Sequence, residues 1–136
     1  MYLVDTNIFL ELLLNRLEAG AAREFLTKSD PALLCISDFS LHSIGVLLFR
    51  EHQYDLFIRF MTDLLGEGDI RILALNQDDV RELHYIAKKF RVDFDDAYQY
   101  SVARKYQIDL VSFDKDFDRT DITRRTPAEI IAFTMV

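Results

Sequence analysis

Apolar residues recur along this chain with two different periods. "MYLV" is a short apolar run halted at Asp5, as expected of a buried strand. "NIFLELLLNR" then puts Ile8, Leu12 and Leu13 on one helical face. A second helix is predicted over about 18 to 28, ended by Ser29-Asp30-Pro31. "ALLCIS" reads as a second buried strand. Ser37 or Asp38 caps the helix "FSLHSIGVLLFRE", and another helix covers about 54 to 65 before Gly66 and Gly68 break the chain. "IRILAL" is a third strand, followed by helix from Asn76 or Gln77 to about Phe90 and again over 95–106. "IDLVSF" is the fourth strand, and Pro127 opens a short C-terminal helix.

The order β-α-α-β-α-α-β-α-α-β-α implies an α/β fold. Its mainly parallel central sheet lies between layers of helices. No linker, repeat or low-complexity segment divides the chain, so residues 1-136 are expected to form a single domain. In such a fold each strand climbs to the carboxyl edge of the sheet, where ligands of open α/β sheets bind. Asp5 ends the first strand there, and Ser37 and Asp38 follow the second. The helix beginning near Asp96 descends about 18 Å at roughly 1.5 Å per residue. The strand after it climbs back about 20 Å at roughly 3.3 Å per residue, which returns Asp114 to the level of Asp96. Asp5, Asp96 and Asp114 are therefore expected to converge.

Composition sharpens this picture. The 136 residues carry a net charge of −7, which argues against a broad basic nucleic-acid surface but allows a small acidic pocket that recruits a cation. Of 23 acidic residues 16 are Asp, and eight of those lie between 93 and 121. Solubility alone would be served by Glu, the better helix former, so the excess indicates positioned carboxylates. Three converging carboxylates repel unless one is protonated or a cation joins them. Oxygen ligands without a Cys or His cluster select Mg²⁺ or Mn²⁺. The chemistry that follows is hydrolysis of a phosphodiester by an activated water. The lone Cys35 is expected to be a buried, reduced thiol. The N-terminus has neither the basic region of a signal peptide nor a membrane-spanning run, so a cytoplasmic protein with no membrane association is expected.

"YLVDTNIFLELL" and "DFDDAYQYSVARKYQIDLVSFDKDF" resemble the two ends of a PIN-domain nuclease, and of its small VapC-type toxin ribonucleases in particular. The resemblance implies an α/β/α sandwich, one or two Mg²⁺ or Mn²⁺ ions, and metal-dependent cleavage of RNA. It assigns metal binding to Asp5, Asp96 and Asp114, gives Asn7 and Ser112 the orientation of ligands, and lets Asp116 touch a second metal. It also implies a homodimer and an antitoxin protein as partner. One position departs from the family. A Glu is expected about six residues beyond the strand-end Ser37, and Ser43 stands there with His42 beside it. His42 is either an imidazole ligand or a core histidine, and Ser43 could hold only a bound water.

Asp93 and Asp95 read as ordinary acids at a helix start, worth about 0.3–1 kcal/mol each. Asp118 and Asp121 read as solvated loop residues; of the eleven Arg, among them Arg50, Arg119, Arg124 and Arg125, some could pair with RNA phosphates and most read as solvated surface, with "ITRRT" the one local basic spot. Two rival readings follow from the same residues. One is a PIN-like domain with weak or no nuclease activity, acting as an RNA- or protein-binding regulatory module. The other is a phosphoryl-transfer domain, disfavoured because "VDTNI" lacks the second Asp such phosphatases carry.

Overall fold

The computed structural model describes residues 1–66 and 70–134. Its sheet comprises β1 (Tyr2–Val4), β2 (Leu34–Ser37), β3 (Arg71–Leu73), β4 (Asp109–Val111) and β5 (Arg124–Arg125), in the order β3-β2-β1-β4-β5 and parallel throughout. Leu3 sits opposite Cys35 on one side and Leu110 on the other. The helices are α1 (Thr6–Leu13), α2 (Ala19–Lys28), α3 (Asp38–Arg50), α4 (Tyr54–Arg59), α5 (Gln77–Arg81), α6 (Leu83–Phe90), α7 (Phe94–Tyr106) and α8 (Pro127–Thr134).

Side chains alternate across a strand, and that alternation builds the three layers. Tyr2, Val4, Leu34, Ile36 and Val111 face one core, shared with Ile8 and Phe9 of α1, Phe25 of α2, Ile44 and Leu48 of α3 and Ile130 of α8. Leu3, Cys35 and Leu110 face the other, shared with Leu83 of α6 and Ala97, Tyr98 and Val102 of α7. Both sheet faces are thus covered, which is why the central strands are continuous apolar runs. Phe9, Phe25, Phe60 and Phe117 are fully buried, each contributing roughly 2–3 kcal/mol of transfer free energy. Cys35 is buried and free, as its surroundings in "ALLCIS" imply.

The structure corrects the sequence reading in four places. The helix expected from 76 to 90 is two helices, α5 and α6, separated at Glu82, where the N–H bonds tighten back to Asp79 and no Gly or Pro marks the break. Beyond α4 the backbone widens into a π-helical segment, Phe60–Gly66, so Gly66 lies inside a helical element; Gly68 falls outside the described residues. The strand read as "IRILAL" pairs over only three residues. Finally, β5 was not expected, because "RR" has no apolar pattern. Its strand character comes from its neighbour: Ser112 N–H donates to the Arg125 carbonyl at 3.0 Å. Among the described residues no helix is long and apolar enough to cross a membrane.

Candidate functional site: an acidic cleft at the carboxyl edge

Each polar residue at the site is placed by an element end. Asp5 leaves β1 and caps α1, its Oδ1 accepting from Thr6 N–H at 2.8 Å. Ser37 leaves β2 and caps α3 by accepting from Ser40 N–H at 3.0 Å. Asp93 caps α7, accepting from Asp96 N–H at 3.0 Å and so fixing the first turn that presents Asp96. Asp114 leaves β4 and accepts from Asp116 N–H at 2.9 Å, which bends the chain into the 3₁₀ turn Lys115–Arg119. These side chains satisfy the orphan amides of their elements and meet at one edge of the sheet.

The oxygens of Asp96, Asp114 and Asp116 reach within 4.8 Å of one another, a spacing one cation can bridge. Among the described residues no Lys or Arg pairs with Asp96 or Asp114; Asp116 alone has a cationic neighbour, Arg119, at 3.5 Å. The consequence is electrostatic. Burial of Asp96, reinforced by the negative charge of Asp114, pushes its carboxyl up to about 8. Asp5 is also raised, chiefly by burial, against hydrogen bonds from Gln99, Ser112 and Thr6 that favour its ionised form.

A network of neutral donors surrounds Asp5. Ser112 Oγ–H donates to its Oδ2 at 2.6 Å, and Asn7 Nδ2 donates to the same oxygen at 3.3 Å and to Ser112 Oγ at 3.1 Å. Ser112 Oγ in turn accepts from Asp114 N–H at 2.9 Å, so one hydroxyl links the first strand's Asp to the fourth strand's. Asn7 Oδ1 accepts from Phe113 N–H at 3.3 Å. Asn7 and Ser112 therefore link the Asp5 carboxylate to the start of the loop that carries Asp114.

A cleft of about 190 Å³ opens over these groups, lined by Asp5, Asn7, Ser43, Asp95, Asp96 and Gln99 among others. Ser43 faces the acidic cleft, as its spacing from Ser37 predicts, and brings no charge. His42, one residue earlier, points elsewhere: it lines an apolar groove with Val46, Phe49, Phe57 and Met61 and takes no part in the cleft. A helix turns 100° per residue, so adjacent positions cannot share a face. Asp38 is likewise turned away, accepting from Tyr98 O–H at 2.7 Å. Asp95 sits in the first turn of α7, as expected; it also lines the cleft, and burial, with the charge of Asp93, raises its carboxyl.

Three groups escaped the sequence reading. Gln99 is 2 % exposed; its Nε2 donates to Asp5 Oδ1 at 2.9 Å and Ser40 Oγ at 2.8 Å, and its Oε1 accepts from Ser37 Oγ–H at 2.7 Å. Its signal was present, a polar residue three positions after Asp96 and hence on the same face of a helix with apolar neighbours. Arg124 is the second. Its guanidinium donates to the Ser112 carbonyl at 3.0 Å and forks onto Asp118 at 2.9 and 3.0 Å, bracing both ends of the loop that carries Asp114 and Asp116. Arg124 is thus a largely buried brace, while its partner Asp118 is exposed to solvent, as expected of a loop residue. Asp121, the third, accepts from Tyr100 O–H at 2.6 Å, and Arg125 pairs with Asp109 at 2.8 Å.

The sequence matches the PIN domain family over residues 2–122, from the strand that ends at Asp5 to the loop beyond Asp116. This chain belongs to the PIN domain family. The PIN fold here is similar to a toxin–antitoxin complex protein from Klebsiella pneumoniae, with 22 % identity and a TM-score of 0.73 over 93 % of this chain and 98 % of that one. It is also similar to VapC20 of Mycobacterium tuberculosis, a sarcin-ricin loop cleaving toxin, with 20 % identity and a TM-score of 0.75 over 90 % and 97 % of the two chains. FitAcB from Neisseria gonorrhoeae is a third such structure, at 17 % identity and a TM-score of 0.70, covering 94 % of this chain and 99 % of that one. No curated protein matches the sequence. At these identities the likeness is one of fold, and it extends over 97–99 % of these three chains.

Proposed function

We propose that this PIN domain is a divalent-cation-dependent endoribonuclease that hydrolyses RNA phosphodiester bonds, and that it acts as the toxin of a toxin–antitoxin pair. The observation that carries the reading is the convergence of Asp96, Asp114 and Asp116 without a compensating cation on the first two. The residues fit Mg²⁺ or Mn²⁺: all donors are hard carboxylate oxygens, and no Cys or His joins them. A bound ion of this kind supplies charge neutralisation for the phosphate and a lowered pKa for the attacking water.

The chain's own residues do the rest. Asp96 lines the cleft and its carboxylate comes within bridging distance of those of Asp114 and Asp116, while Ser112 and Asn7 link the Asp5 carboxylate to the Asp114 backbone. The cleft is small and open, so it suits an extended strand whose scissile phosphate dips toward the acids rather than a base pocket. Partners follow the same reading: RNA as substrate, an antitoxin protein, and a second copy of the chain in a cytoplasmic homodimer. The test is cleavage of single-stranded and hairpin RNA by purified protein. Cutting is expected with Mn²⁺ or Mg²⁺ and lost with chelator; cutting that ignores the chelator sinks the assignment.

A second reading has its own support, because Ser43 leaves the cleft one carboxylate short of the family pattern. In that case the domain binds RNA or protein with little cleavage. Ser43→Glu separates the two. If the cleft is a working cation site, the added acid is expected to tighten Mn²⁺ binding by about tenfold, read by calorimetry. Unchanged binding favours the regulatory module.

A further inference from the structure

A wall of aromatic rings stands beside the acids of the cleft. Phe39 is one of the residues that line it. Its ring packs on Tyr98, with centroids 5.3 Å apart, and on Phe94 at 5.9 Å. Tyr98 is fixed from behind, its hydroxyl donating to Asp38 Oδ1 at 2.7 Å and accepting from Leu75 N–H at 3.3 Å. The same Asp38 oxygen accepts from Phe39 N–H at 2.8 Å. Tyr98 is buried and Phe39 packs against the core, whereas Phe94 belongs to neither core and is 52 % exposed.

A lone exposed phenylalanine is commonplace. Two observations set this one apart. The start of α7 does not need it: the apolar pair that locks a helix entry, just before the cap and four residues after it, is here Val92 and Ala97, both buried. Phe94 also precedes Asp95, which lines the cleft; among the described residues no other exposed aromatic side chain adjoins a cleft residue in the chain.

The cleft gives a nucleic acid little else to hold. None of its lining residues is Lys or Arg, Asp93 caps the helix beside it, and the chain carries a net charge of −7. Affinity drawn from basic side chains on phosphates has no source among these residues. Stacking of a base on an aromatic face needs no charge and accepts any base.

We propose that Phe94, backed by Phe39, is a substrate-binding residue: the platform on which an unpaired base of single-stranded RNA stacks while an adjoining phosphate reaches the acids. This rests on the reading of the cleft as the site of RNA cleavage. It fixes the substrate class, because bases of single strands and loops can leave their own stack and those of a continuous duplex do not.

Steady-state cleavage of single-stranded RNA with Mn²⁺ is expected to show KM raised between about 5- and 100-fold in Phe94→Ala, the usual range for one stacked base, with kcat changed less than about twofold. Phe94→Tyr is expected to keep the wild-type KM. Mn²⁺ affinity by calorimetry is expected to be equal in all three proteins, which damage to the metal site would not allow. On the RNA side, an abasic residue in place of the stacked base should raise KM equally for the wild type and add nothing in Phe94→Ala. An unchanged KM in Phe94→Ala overturns the proposal, as does an abasic penalty that adds to it at every position. Photochemistry supplies a readout free of catalysis. Single-stranded RNA carrying iodouracil, irradiated with the wild type, is expected to crosslink to Phe94, and duplex RNA is not; crosslinks confined to other faces overturn the proposal, and they decide it even if Phe94→Ala fails to fold. A Phe94→Ala protein that changes its oligomeric state and retains the wild-type KM puts the ring in a protein interface, which also overturns it. No Mn²⁺ binding by the wild type at millimolar metal is a different failure: it removes the cation reading, while the crosslink still decides whether a base stacks on Phe94.

Discussion

Asp96→Asn and Asp114→Asn, made singly, are each expected to lower RNA cleavage by more than about a hundredfold while leaving the protein folded. Asp96 is the pivotal residue because its position is the most constrained: Asp93 holds its N–H, α7 buries it to 8 % exposure, and Asp114 and Asp116 face it. Replacing one oxygen by an amide nitrogen keeps shape and removes a ligand charge. The metal-free variant should be no less stable than wild type, because the neutral amide replaces a carboxyl whose ionised form is disfavoured by burial and by the charge of Asp114. The two readouts therefore move in opposite directions: activity and Mn²⁺-induced stabilisation fall, and the metal-free melting temperature holds or rises. A variant that loses activity only because it unfolds shows both falling together, and one that keeps cutting removes Asp96 from the mechanism.

The second expected result concerns pH. Asp96 ionises near 3.8 when unconstrained and at about 8 in the folded, metal-free protein. Between those values the folded state keeps a proton that the unfolded state has released. Unfolding thus sheds a proton, and rising pH favours it. The stabilisation associated with protonated Asp96 is complete below about pH 4 and is lost as pH climbs through about 8, on the order of a few kcal/mol. Asp5 is shifted in the same direction. Asp79 and Asp118, whose carboxyls are lowered by Lys105 and Arg124, act oppositely but below about pH 4, outside this window. Metal-free protein is expected to melt at progressively lower temperature from pH 5 to pH 8, and saturating Mn²⁺ should flatten that slope. Near neutral pH, Mn²⁺ binding should release close to one proton, measurable by titration in buffers of different ionisation enthalpy. A metal-free melting temperature that stays level or rises across this range contradicts the picture of a proton shared in the cleft.

Much of this arrangement was legible before any coordinates, and the residues show why. Asp5, Ser37, Asp96 and Ser112 sit at element ends, where a strand's apolar run stops or a helix's cap begins, and such punctuation is local. Their convergence required only helix and strand rise. Gln99 was not legible, because a polar residue within a helix acquires meaning only when one knows which face is buried. The same limit applies to Arg124, because a guanidinium fork across a loop leaves no periodic trace. β5 failed for a related reason: two arginines become a strand by pairing with β4, a tertiary fact that overrides local preference. His42 illustrates the converse error, where one residue of offset moves a side chain from the cleft to an apolar groove.

The two outer strands have a bearing on what the sheet can pair with. β3 begins with Arg71 and β5 consists of Arg124 and Arg125, so both open margins of the sheet are short and bear guanidinium groups. Exposed strand margins invite a neighbouring chain to add itself by main-chain pairing, and short charged ones discourage it. Such a sheet resists being lengthened by a second molecule at either end. The large apolar side chains that stand about half exposed, Val46, Phe49 and Ile58, lie instead on the helical flanks.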